Sequence, residues 1–224
     1  MKIGDIYSHK GGLEYITQNH PKELTEVKDS IISVIAADCL RKPSLEKTKP
    51  PLLFSPEELN KCLKTYLSSR NWTKEKPESK KGFEEPRIYL EGGREFREMD
   101  GIKNKVGLEI QFGKYAFMGY DIFSKMPIFK KHGLIDCGIE VVAMHTLIPN
   151  MSTGVSSFTQ IVMDMKARGV ADLDIPTIII GIDCTETEWQ QIENKRRQYK
   201  LNPKELIDSG HVMGRKNGSM PGPK

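Results

Sequence analysis

The 224-residue chain is short of several things, and each shortage closes off a class of protein. Its four cysteines, Cys39, Cys62, Cys137 and Cys184, lie far apart with no CxxC pair. That argues against a zinc site or a disulfide framework and for free thiols in a reducing compartment. No apolar run approaches the ~18 residues of a membrane span. The opening stretch MKIGDIYSHKGG lacks a signal-peptide core, so a cytoplasmic location without a membrane partner is expected. The five histidines (His9, His20, His132, His145, His211) fall at no metal-ligand spacing and are read as surface or core residues. No internal repeat is visible. Charge of one sign is barely in excess: 34 Lys and Arg against 30 Asp and Glu give a net +4. Such a balance permits a polyanionic partner without demanding one.

What remains is an ordinary water-facing composition, 38% hydrophobic and 29% charged, long enough to bury a real core. We read residues 1–205 as a single domain, with a helical N-terminal part (1–70), an exposed charged loop (71–87) and an α/β core (88–200). A flexible basic tail is expected over 206–224. Leu24, Val27, Ile31 and Ile35 recur at helical spacing and predict a helix from Pro21 to about Leu40. Ser55-Pro56 with Glu58 three residues on marks a second helix start, whose apolar face is Leu59, Cys62, Leu63, Tyr66 and Leu67. Beyond Asp100, VGLEIQF (106–112), LIDCGIEVVAM (134–144) and PTIIIGID (176–183) read as strands, the last covered on both sides. Between them lie a mostly helical stretch interrupted at Pro127, a helix through Phe158, Ile161, Val162 and Met165, and a final one capped by Thr185 and Glu188. The fold class is α/β, a mixed central β-sheet flanked by helices.

The chemistry gathers at DGIKNKVGLEIQFGKY, residues 100–115. Side chains two apart on a strand share a face, so Glu109 and Gln111 point one way while Leu108, Ile110 and Phe112 fill the other. A carboxylate on an otherwise buried strand needs a partner, because burying it alone costs several kcal/mol. The partner is either a lysine or arginine, or a divalent cation shared with a second acid. Asp100 qualifies as that acid if the chain returns past the strand after its Gly and Asn. Two carboxylates and the backbone carbonyl of Ile110 suit the hard oxygen shell of Mg²⁺, which activates water for attack on phosphorus. Gln111 has no useful pKa and is no general base; its role is to orient the water. Taken alone, D-x8-E-x-Q is a weak signal.

An acid followed after a spacer by E-x-K, E-x-E or E-x-Q resembles the PD-(D/E)XK nuclease core. The segment VGLEIQFGKYAFMGYDIF resembles type II restriction endonucleases of the BglII and BstYI group, which place Gln in the last catalytic position. Similarity to BstYI, the nearer member, extends to IYSHKGGLEYI (6–16), the EKTK near residue 46, FSPEELN, MSTGVSS (151–157) and PTIIIGI; KHGLIDCGIEVV is similar to its counterpart in the more distant BamHI. The resemblance covers most of the chain to about residue 183. It implies a homodimeric Mg²⁺-dependent endonuclease that cuts double-stranded DNA at a palindromic GATC-core site before the G. The products are four-base 5′ overhangs with 5′-phosphates, and a methyltransferase acts on the same site. It implies Asp100, Glu109 and the Ile110 carbonyl as metal ligands, with Gln111 positioning water. Base reading falls to Gly113 and Lys114 after the strand and to Ser152, Thr153 and Ser156 in the later loop. Gly-Lys at 113–114, where BglII has Ser-Asn, favours RGATCY over AGATCT.

Two competing readings stand beside this one: a repair or recombination nuclease without sequence preference, and a DNA-binding protein that has lost catalysis. Other charged positions have plainer readings. Asp136 is expected to be a hydrogen-bonded core acid. Lys125, Lys130 and Lys131 are expected either on a solvated helix face or against the DNA backbone.

Overall fold

The computed structural model describes residues 1–77, 80, 82–90 and 92–213. Its centre is a five-stranded mixed sheet built from β1 (Lys2–His9), β2 (Gly101–Lys103), β3 (Val106–Gln111), β4 (Cys137–Ala143) and β5 (Thr177–Asp183). The spatial order is β1-β5-β4-β3-β2. The three inner strands run parallel, and both edges are antiparallel to their neighbours. Parallel strands covered on both faces require near-continuous apolar sequence, and β4 and β5 have it, with Glu140 the exception.

One face of the sheet carries Leu108, Ile110 and Phe112 into the larger core cluster, which is completed by α1 (Pro21–Ser33), α2 (Pro56–Ser68) and residues of the C-terminal helix α5 (Glu186–Leu201). The other face is covered by the helical segment α3 (Tyr115–Tyr120, continuing without a break through Lys131) and by α4 (Phe158–Arg168). Val142 and Ile179 pack there with Met118, Ile122 and Ile161. Helix starts follow their caps. Thr185 and Glu188 make both halves of a capping box; Ser55 accepts from the Glu58 N–H, while the Glu58 carboxylate pairs with Arg41 at 3.0 Å.

Several expectations need correction. The N-terminal part is not all helical: β1 lies in the main sheet, and Leu40–Pro43 pairs with Leu52–Phe54 as a small ribbon. Helix α1 ends at Ser33, where Val34 turns extended, so Ile35 leaves the buried face and is exposed. The charged stretch 71–87 is anchored where it begins: Trp72 is 1% exposed and donates from its indole to Glu26. Pro127 does not interrupt the helix. It lacks the N–H for a bond four residues back, and the preceding turn, Asp121–Lys125, widens to a π-helix in which Met126 N–H donates to Asp121 O. The tail starts later than residue 206, since Pro203–Asp208 is helical and Val212 is buried; residues 214–224 lie outside the described residues.

Candidate active site

The nine-residue step from Asp100 to Glu109 is a hairpin. Asn104 and Lys105 both have positive φ, 46° and 69°, the primed-turn geometry that joins two antiparallel strands in two residues. The turn fixes the register: Lys103 faces Val106, Ile102 faces Gly107 and Gly101 faces Leu108. One more step sets Asp100 opposite Glu109, on the same face. A hydrogen bond locks this placement, the Ile110 N–H donating to Asp100 Oδ2 at 2.6 Å. The two acids singled out by spacing are therefore neighbours, with the Ile110 peptide beside them.

Each acid carries its own lysine. Lys64 from α2 reaches Asp100 Oδ1 at 2.6 Å and also pairs with Glu85. Lys125 reaches Glu109 Oε1 at 2.9 Å and Asp121 Oδ1 at 2.6 Å. Lys125 is thus no solvated helix residue: its side chain is only 14% exposed. Asp121, itself buried, accepts from Gln111 Nε2 at 3.3 Å through its other oxygen. The widened π turn brings the (i, i+4) pair Asp121 and Lys125 together against the sheet. Asp136, expected in the core, is half-exposed and lies 3.4 Å from Lys130, because β4 begins one residue later.

Glu140, an acid that interrupts the apolar strand and for which spacing suggested no role, belongs to the same place. It pairs in register with Glu109 on the neighbouring strand and so shares its face. It is wholly buried, and neither carboxylate oxygen has a hydrogen-bond partner. Burial, then the charges of Asp121 and Glu109, push Glu140 well above the usual carboxylate range. Burial also raises Glu109, with Asp100 and Asp121 adding to it and Lys125 opposing. Asp121 is raised too, chiefly by burial. Lys125 is raised as well: burial works against its charge, but Glu109 and Asp121 outweigh that and hold the ammonium protonated. The protonated form is favoured on both sides, because burial penalises the charge of the carboxylates while the neighbouring acids favour that of the lysine.

The expected base-reading residues also meet. Lys114 and Val155 form a β-bridge, and Ser156 N–H donates to Gly113 O at 3.1 Å, so the loop after β3 and the loop before α4 lie side by side. Ser152 accepts from Lys42 at 2.7 Å and Thr153 donates to Glu46 at 2.5 Å, which adds the EKTK segment to the same place. Ser156 is buried and donates to Gln160. A Cβ at Gly113 would stand 2.6 Å from Gln111 Oε1, so a larger residue there would have to displace the end of the Gln111 side chain.

A mixed sheet whose edge hairpin gathers acids under a lysine-bearing helix is the fold of restriction endonucleases. It is similar to the crystal structure of restriction endonuclease BglII complexed with a DNA 16-mer, with a TM-score of 0.63 and 19% identity over 83% of this chain and 78% of that one. A family model described as restriction endonuclease BglII/BglIII matches residues 4–182, and the chain belongs to that family. It is a type II site-specific deoxyribonuclease. No curated protein matches it. Among the described residues no helix is long and apolar enough to cross a membrane.

Proposed function

We propose that the chain, as a homodimer, hydrolyses double-stranded DNA at the palindrome R/GATCY. The cut leaves four-base 5′ overhangs with 5′-phosphates, and Mg²⁺ is held by Asp100, Glu109 and the Ile110 carbonyl. The hairpin register that sets Asp100 opposite Glu109 is the observation that carries the reading. Among the described residues no three Asp, Glu, His or Cys side chains form a ready metal cage. The proposed set is smaller, two carboxylates and a carbonyl, and leaves the rest of the shell to waters and phosphate oxygens, as Mg²⁺ prefers. The donors are all hard oxygens, and Asp100 and Glu109 stand side by side close enough for the charge of Asp100 to raise Glu109. Both facts fit a divalent cation.

When bound, the ion offsets the negative charge that grows on the phosphate and the departing oxygen. The chain's residues do the rest. The Ile110 N–H holds Asp100 in place through Oδ2, and Lys64 steadies its Oδ1 at 2.6 Å. Gln111, neutral at every working pH and tied to Asp121, orients the attacking water. Gly113, Lys114, Ser152, Thr153 and Ser156 supply donors and acceptors to the major-groove edges, Lys114 to guanine O6 and N7. A two-fold protein matches a two-fold site.

The test is a digest of a long plasmid with the ends sequenced. Discrete fragments carrying 5′-GATC overhangs preceded by a purine, with cleavage stopped by EDTA and restored by Mg²⁺, are expected. A smear, or ends without GATC, overturns the site; cutting that persists in EDTA overturns the metal.

A further inference from the structure

The catalytic strand has a gap in its chemistry. Gln111 ends the acid strand with a neutral amide, so β3 brings no positive charge to the place where the phosphate would gain negative charge. The helix behind it does. Lys125 lies 2.9 Å from Glu109, and Asp121 joins it to Gln111, so the four side chains form a connected chain: Gln111, Asp121, Lys125, Glu109. The ammonium is fixed from both sides, by Asp121 at 2.6 Å and by Glu109, with the Tyr120 ring 5.8 Å away. Its helical turn is widened so that Asp121 and Lys125 both face the sheet. Lys64 is a weaker candidate, because it ties Asp100 to Glu85 and has no link to Gln111.

We infer that Lys125 is a further catalytic residue, supplying from the helix the cation that the strand lacks. It donates to a non-bridging oxygen of the scissile phosphate while Glu109 turns to the metal. The inference rests on the reading of Asp100 and Glu109 as the cleavage site. The oxygen of the attacking water bonds to phosphorus and releases one proton to solvent, the bond from phosphorus to the 3′ oxygen breaks, and the 3′ oxygen takes up a proton from solvent. Lys125 stays protonated throughout and stabilises charge; it does not carry the proton. A fixed donor aimed at developing charge is worth about 10²–10³ in rate.

Single-turnover cleavage of a cognate duplex by Lys125→Gln and Lys125→Arg, at saturating DNA and Mg²⁺, tests this. Binding of the same duplex in Ca²⁺ is measured beside it, and Glu109→Ala is run as reference. Lys125→Gln should cut about 10²-fold more slowly, with binding nearly unchanged and the loss constant across the pH range; Lys125→Arg should recover part of the rate. A Lys125→Gln rate close to wild type overturns the inference. So does a loss that disappears at high pH or high Mg²⁺, since the lysine would then only keep Glu109 ionised. If Glu109→Ala cuts normally, the site reading itself has failed; if Glu109→Ala is dead and Lys125→Gln is not, only the role of Lys125 has.

Discussion

Two groups of buried acids in this molecule are built in opposite ways. At the edge formed by β1 and the chain entering β5, Asp174 is nearly sealed yet fully partnered. Arg168 grips both its oxygens at 2.7 and 2.9 Å, the Ala171 N–H donates at 2.8 Å, and His9 Nε2 lies at 2.9 Å. Burial alone would raise its pKa, but these partners outweigh it and hold Asp174 well below the usual range. On the face of β3 and β4 the same burial meets too few partners. Glu109 and Asp121 share Lys125, Glu140 has no hydrogen-bond partner, and all three acids are pushed upward. The first group spends charge on holding the fold together. The second leaves its acids under-partnered, the arrangement that the proposed cleavage site calls for and a structural ion pair does not.

The comparison can be broken at either end. The largest effect belongs to Glu109→Ala, which should lower cleavage by at least about 10³-fold, several kcal/mol of transition-state stabilisation, while DNA binding persists. Stability should not fall, because a strained carboxylate is removed; thermal melts with EDTA check this. Next comes Asp174→Asn, which breaks a buried pair and should cost about 3 kcal/mol at neutral pH without changing the cleavage rate of the folded enzyme. The sign follows from the depressed pKa: the ionised Asp174 contributes its stability above the unfolded value near ~3.9, and loses it as pH falls below that. The gap between wild type and variant, followed by urea melts, should therefore close in acid. The smallest effect is that of Glu140→Gln, and its pH dependence runs the other way. A raised carboxyl holds its proton in the native state after the unfolded chain has released it, so wild-type stability declines as pH rises above the ordinary glutamate value. The amide removes that decline. Without metal, the melting temperature of Glu140→Gln relative to wild type should rise from pH 5 to pH 7.

How much of this was legible in the sequence depended on distance along the chain. Asp100 and Glu109 could be paired because a hairpin is a local object, and nine residues with a tight turn between leave little choice of register. The alternation in VGLEIQF correctly separated Glu109 and Gln111 from the apolar face that enters the core. The place of Lys125, Asp121 and Glu140 beside Glu109 was not legible, because nothing local ties them to the strand. Two sit on a helix whose widened turn no periodicity announces, and the third arrives by a parallel crossover. Strand β1 escaped for the same reason. Its partner is β5, some 170 residues on, and KIGDIYSH lacks a clean two-residue alternation. The ribbon formed by Leu40–Pro43 and Leu52–Phe54 likewise falls between the two helices that periodicity marked, inside a part expected to be helical.

The proposed cleavage site requires Asp100 and Glu109 to grip one ion together. Titrating Mn²⁺ into the DNA-bound protein, read by electron paramagnetic resonance, tests that directly for wild type, Asp100→Asn and Glu109→Gln. Wild type should fill a site that each single variant loses. Equal uptake by all three, with the same spectrum, would mean the ion sits elsewhere and the paired acids are only part of the scaffold.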